Sequence, residues 1–252
     1  MIITRLVAVL LLTAPSIALI TSSPAHELRP ATVQTATSSY SILGYDPITG
    51  EFGVASASEA PLIGMNLEFL DLEAGGVLVH GGPHLEISER VMAALEEELP
   101  PDRAIQVGLF IDTDKENLQI LAISQHGAAA FTGKKLEKHA ADEVGDVYVA
   151  AGQRIPNPDI INAMAAHFQT SDGPLGSRLL GALRAGRNAS GEEGGEGGEG
   201  DVHSAALLVV SPRARFATRN RLIDLRIDFV SGDAVAALEA LQAQVDSVYG
   251  IN

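Results

Sequence analysis

Twenty residues near the start of the chain set the strongest constraint on its fold. Residues 39–45 and 51–58 are two runs of small, apolar and aromatic residues, separated by Asp46-Pro47-Ile48-Thr49-Gly50. Proline presets the backbone for a turn, aspartate accepts hydrogen bonds from the amides that follow it, and glycine adopts the left-handed conformation that closes the turn. The segment therefore predicts an antiparallel hairpin. A lone hairpin is not stable in water, so further strands or helices must cover it.

Further elements follow in order. Residues 75–80 form a short apolar strand, and residues 85–99 form a helix with Ile87, Val91 and Leu95 on one stripe. A second hairpin is expected from strands at 105–111 and 118–124 around Asp112-Thr113-Asp114-Lys115, with more strands at 128–132 and 146–151. Asn157-Pro158 starts a helix striped by Ile161, Met164, Ala165 and Phe168; Asp172-Gly173-Pro174 opens another carrying Leu175, Leu179 and Leu183. Strands at 203–210 and 222–229 and a helix at 233–248 complete an α+β layered domain.

Residues 39–252 thus read as one domain, interrupted at 186–201 by an acidic Gly/Glu loop that has too little apolar surface to order itself. Met1 to Ile20 carry one charge, Arg5, and an apolar run from Leu6, while Ser23-Pro24-Ala25 fits a signal-peptidase site. Residues 1–25 are therefore expected to be a signal peptide and 26–38 a flexible lead-in, which places the mature protein in the periplasm or outside the cell. The 252-residue chain has 17 Lys plus Arg against 32 Asp plus Glu, a formal charge of −15. Removing the leader takes Arg5 alone and gives −16. Such a surface repels nucleic acid and anionic membranes. With no cysteine, thiolate nucleophiles, Cys zinc sites and iron–sulfur clusters are excluded.

Several motifs, in the same order over residues 39–249, resemble those of the domain of unknown function 1028 family. Ser39-Tyr40-Ser41-Ile42, Asp46-Pro47 and Gly50-Glu51-Phe52-Gly53-Val54-Ala55 are similar to the family's opening. Ala130-Phe131-Thr132-Gly133, Gly173-Pro174-Leu175 with Arg178-Leu179-Leu180, Ser204 to Val210, and Asp224-Leu225-Arg226-Ile227-Asp228 resemble later family motifs. The resemblance implies the fold of the N-terminal nucleophile (Ntn) hydrolases, a four-layer αββα sandwich with helices outside two facing antiparallel sheets. It brings no established reaction. Polar positions depart from the family pattern at Ala57-Ser58-Glu59, Val79-His80-Gly81, His139-Ala140-Ala141 and Ala151-Gly152-Gln153.

An Ntn hydrolase attacks with the side chain of its first residue and uses that residue's α-amine as base. The resemblance places Ser39 in that role, and an ordinary first-strand serine is the competing reading. His80-Gly81-Gly82-Pro83-His84 puts His80 and His84 around a glycine-rich turn, where they could bind substrate; two solvated loop histidines are the alternative. Alternation places Asp224, Arg226 and Asp228 on one face of their strand, so Arg226 either anchors a carboxylate substrate or belongs to a charge ladder on an edge strand. No metal site and no cofactor are expected. Two functional readings stay open: an exported amide-bond hydrolase for a small-molecule or peptide-like ligand, and a catalytically inactive member acting as a ligand-binding or homo-oligomeric interaction protein.

Overall fold

A computed structural model describes residues 37–61, 63–81, 84–136, 139–191, 202–214 and 220–250. The expected signal peptide lies outside these residues, as does most of the expected acidic loop.

The first hairpin forms as predicted. Strands β1 (Ser39–Asp46) and β2 (Glu51–Ser58) pair antiparallel from Ser39↔Ser58 to Asp46↔Glu51. Asp46 Oδ1 accepts from the amides of Ile48 and Thr49 at 2.8 and 3.4 Å, and Gly50 closes the turn at φ +71°. β3 (Leu70–Asp71), β4 (Gly75–His80), β5 (Gln119–Ser124) and β6 (Gly127–Thr132) make a four-stranded antiparallel sheet in that order. β7 (His139–Val144), β8 (Tyr148–Ile155), β9 (Ser204–Val210) and β10 (Arg221–Asp228) join the first hairpin in a six-stranded antiparallel sheet ordered β10-β9-β2-β1-β8-β7.

The helices are α1 (Leu85–Glu96), α2 (Pro101–Leu109), α3 (Asp159–Thr170), α4 (Leu175–Ala189) and α5 (Ala234–Tyr249). One hydrophobic cluster joins alternate residues of the six-stranded sheet, such as Ile42, Ala55 and Leu207, to Phe168, Leu179 and Leu238 of α3, α4 and α5. A second joins the opposite residues of that sheet, Leu43, Val54 and Leu208, to Leu78 and Leu121 of the four-stranded sheet. The third joins Val79 and Ile120 to Val91, Leu95 and Ile105 of α1 and α2. Apolar packing on both faces explains why β2 and β9 are buried along their whole length.

Three expectations need correction, and one strand is new. The strand expected at 105–111 is the helix α2: Pro101 supplies the pre-set first turn, and Ala104, Ile105, Gly108 and Leu109 fall on one buried helical stripe. α4 continues through Gly186 to Ala189, because Gly186 packs against Met164 of α3, so the loop starts later than expected. β7 was not foreseen; its polar sequence reflects an edge strand with one solvated face. Ser38, expected in the lead-in, is buried.

Candidate functional site

At one end of the six-stranded sheet the hairpin register brings four serines together. Ser39 and Ser41 face Ser58 and Ser56 across β1 and β2, on the face that carries Leu43 towards the four-stranded sheet. Ser39 Oγ lies 2.7 Å from Ser58 Oγ. Ser58 Oγ also lies 3.1 Å from the Ser38 carbonyl oxygen and accepts from the Ala60 amide at 3.0 Å. A carbonyl can only accept, so the single Ser58 proton goes to Ser38 and the Ser39 hydroxyl donates to Ser58. The residue before Ser39 is built into the same arrangement. The Ser38 amide donates to Glu59 Oε2 at 3.0 Å, and its carbonyl accepts from the Glu59 amide at 3.0 Å. Ser39 also pairs with Gln153 of β8, whose buried Oε1 has no hydrogen-bond partner, nor does the buried Ser38 Oγ.

One step along the strands, a directed chain of hydrogen bonds joins the two sheets. Gln119 Nε2 approaches Thr132 Oγ1 at 3.0 Å and the carbonyls of Ala141 and Gly152 at 3.1 Å each. Thr132 itself donates to Asp142 Oδ1 at 2.6 Å, so all three atoms are acceptors and the amide orientation is fixed. Gln119 Oε1 therefore accepts from His80 Nδ1 at 2.9 Å. The unprotonated His80 Nε2 accepts from Ser41 Oγ at 2.8 Å, and Ser56 donates to Ser41 at 2.6 Å. Burial pushes the imidazole down to about 4, against the Gln119 hydrogen bond that raises it, so His80 is neutral at neutral pH.

Serine, imidazole and amide stand in the order nucleophile, base and orienting group. Two features argue against chemistry there. Ser41 and Gln119 have no exposed surface, and a neutral amide supplies no charge to stabilise an imidazolium. The chain is better described as a latch between the sheets.

His80 is thus buried rather than solvated, and a ligand binding to either ring nitrogen would have to displace Ser41 or Gln119. His84 is at the start of α1 with no capping hydrogen bond, its Nε2 3.9 Å from the position of a Cβ on Gly81. Arg226 lies on β10, the edge strand, with its guanidinium 2.8 Å from Asp224 Oδ1. It is in register with Ala206, Ser56 and Ser41, three strand spacings or about 14 Å from Ser41. Arg226 is therefore three strands away from β1, which carries Ser39. Among the described residues no group of three His, Cys, Asp or Glu side chains could hold a metal ion.

A family model described as a family of unknown function, DUF1028, matches residues 39–238. The chain belongs to this family. The match begins at Ser39, the first residue of β1. The crystal structure of protein SPO2555 from Silicibacter pomeroyi, of the same family, is similar to this member with a TM-score of 0.73 and 28% sequence identity, over 83% of this chain and 89% of that one. No curated protein matches the chain.

Ser41, Ser56, Ser58, Gln119 and Gln153 were not among the site residues expected from the sequence. For the serines a signal existed: a tight turn at 46–50 sets 39 opposite 58 and 41 opposite 56. Gln119 joins the cluster only through contacts between sheets, which periodicity cannot reveal.

Proposed function

We propose that this family member is an exported, Ntn-hydrolase-like amidase held latent by the residues preceding Ser39. The single observation that carries this reading is the setting of Ser39. It is the first residue of a central strand, its hydroxyl lies between the two sheets, and its nitrogen is still in a peptide bond with an anchored Ser38. The three stacked hydrophobic clusters support the αββα arrangement that this reading requires.

The chemistry follows from the nitrogen. A peptide nitrogen cannot accept the hydroxyl proton, whereas a free α-amine, with a pKa near ~8, can. Release of residues through Ser38 would convert the amide nitrogen of Ser39 into that base. It would also remove the carbonyl to which Ser58 donates, freeing the Ser58 hydroxyl to donate towards Ser39. The substrate class is a small or peptide-like amide. The apolar run before Ala25 and the small residues at the cut support export.

One observation favours the second reading, a non-catalytic protein that binds a ligand. Glu59 lies where the sequence departs from the family pattern, and its carboxylate holds the Ser38 amide. A carboxylate beside a developing oxyanion raises the barrier that a lysine would lower. The readings separate on one experiment. The chain beginning at Ser39 and the chain beginning at His26 are assayed side by side against a panel of acyl p-nitroanilides. Hydrolysis by the first only, lost in Ser39→Ala, supports the amidase; silence of both supports the binding protein.

A further inference from the structure

The carboxylate that anchors the segment ahead of Ser39 also stands next to the nitrogen on which the proposed chemistry depends. Ser38 and Glu59 exchange two hydrogen bonds: the Ser38 amide donates to Glu59 Oε2 at 3.0 Å, and the Glu59 amide donates to the Ser38 carbonyl at 3.0 Å. Consecutive backbone nitrogens are no more than about 3.8 Å apart, so Glu59 Oε2 starts within about 7 Å of the Ser39 nitrogen. Rotation about the side-chain torsions of this half-buried residue can close that gap.

Glu59 keeps its place when Ser38 leaves, because its neighbours are pinned by bonds that do not involve Ser38. Ser58 pairs with Ser39 across the hairpin, the Ala60 amide donates to Ser58 Oγ at 3.0 Å, and Ser204 Oγ of β9 donates to the Ala60 carbonyl. Release of residues through Ser38 removes the amide that Glu59 Oε2 accepts. One residue on, it creates an ammonium group with three donors. A carboxylate this close to an ammonium favours the charged form of the amine.

The other titratable groups on the elements around Ser39, among the described residues, do not supply a second carboxylate at that distance. β4 brings His80, which is neutral and held by Ser41 and Gln119. β8 brings Arg154, one residue past the Gln153 that pairs with Ser39, and its charge opposes that of Glu59. Tyr40, on β1 itself, is buried and kept neutral by that burial. His203, whose amide donates to the Ser58 carbonyl, has its Nδ1 3.2 Å from the Val230 carbonyl. Asp228 is in register with Ser204, Ser58 and Ser39, three strand spacings or about 14 Å from Ser39.

We propose that Glu59 is a positioning residue of the released chain: its carboxylate exchanges the Ser38 amide for the Ser39 α-ammonium and holds that amine protonated at neutral pH. The proposal rests on the release of residues through Ser38. It makes Glu59 the group that both anchors the latent segment and sets the pH at which the freed amine becomes a base. An α-amine ordinarily titrates near ~8, and a rise of about one unit leaves about ten-fold less of it unprotonated at neutral pH.

Titration of the Ser39 α-amine tests this without reference to hydrolysis. The buried members of all three hydrophobic clusters follow Ser39 in the chain, so a chain beginning at Ser39 keeps its core. Its α-amine is labelled by reductive methylation with carbon-13 formaldehyde and followed by NMR from neutral to alkaline pH, in the native sequence and in Glu59→Gln, which keeps shape and removes charge. The native midpoint should lie about one unit above that of Glu59→Gln, and about 0.5 M sodium chloride should narrow the gap. Where the chain hydrolyses an amide, the alkaline limb of its pH profile should move by the same interval. Equal midpoints in the two chains overturn the proposal, as does a gap that salt leaves unchanged. A salt-sensitive gap in a chain that hydrolyses nothing would refute the amidase reading and leave the contact between Glu59 and the amine standing.

Discussion

Ser41 Oγ lies 2.8 Å from His80 Nε2, and through that contact the six-stranded sheet donates a buried hydrogen bond to the four-stranded sheet. His80 passes the connection to Gln119, so one neutral imidazole joins a serine pair on one sheet to an amide on the other. The arrangement works only while His80 is unprotonated, because an imidazolium has no lone pair to accept the Ser41 proton.

Acid should therefore loosen the protein. The folded-state value of about 4 lies below the ordinary 6.5, so the stabilisation is full above pH 6.5 and is lost as pH falls through 4. Over that window the unfolded chain binds a proton that the folded chain refuses, a cost of about 3 kcal/mol. Urea denaturation at pH 7.5 and pH 4 measures it. His80→Gln should be less stable at pH 7.5 and should show a shallower dependence on pH across this window.

Loss of Ser41 should cost more stability than loss of Ser39. Ser41→Ala leaves the buried His80 Nε2 without a donor, at about 1–3 kcal/mol. Ser39→Ala removes a donor from Ser58, which keeps the Ala60 amide and the Ser38 carbonyl, so about 1 kcal/mol or less is expected. The order of the two denaturation midpoints decides it, and the reverse order would contradict the proton directions assigned here.

Gly75 should not tolerate a side chain. Its φ is +107° and a Cβ would lie 2.1 Å from the Ile123 carbonyl oxygen, so neither the backbone conformation nor the space admits one. Gly75→Ala should lose about 3 kcal/mol from strain and overpacking together, measured by urea denaturation, whereas Gly173→Ala, with nothing within 4 Å of its Cβ position, should lose only the cost of its positive φ.

The anchoring of Ser38 should depend on Glu59. Glu59→Ala removes the carboxylate that accepts the Ser38 amide at 3.0 Å. Hydrogen exchange at the Ser38 amide should accelerate, while amides in the middle of β1 keep their protection. Unchanged exchange at Ser38 would show that the contact does not restrain the segment ahead of Ser39.

The sequence made the fold legible where local chemistry and burial agree. The Asp46-Pro47…Gly50 turn announced the first hairpin, and the stripes of α3 and α4 announced their buried faces. Residues 105–111 misled because Ile105, Val107, Leu109 and Ile111 alternate as a strand does, while Pro101 and the buried stripe favour a helix. The charged face of β10 was read as a mark of an edge strand or a polar site, and it lies at the sheet edge. The candidate site was legible only in part. Ser39 stood out through family resemblance, but the partners of His80 come from residues 39 positions away on either side in the chain, and no local pattern records a contact of that separation.

The most direct test of latency at Ser39 is the N-terminal sequence of the amidase-active fraction purified from the native host. Ser39 is expected as its first residue, because only then is the α-amine free to take the hydroxyl proton. An active fraction whose chains still carry residues 26–38, or the lack of any active fraction, would contradict the assignment.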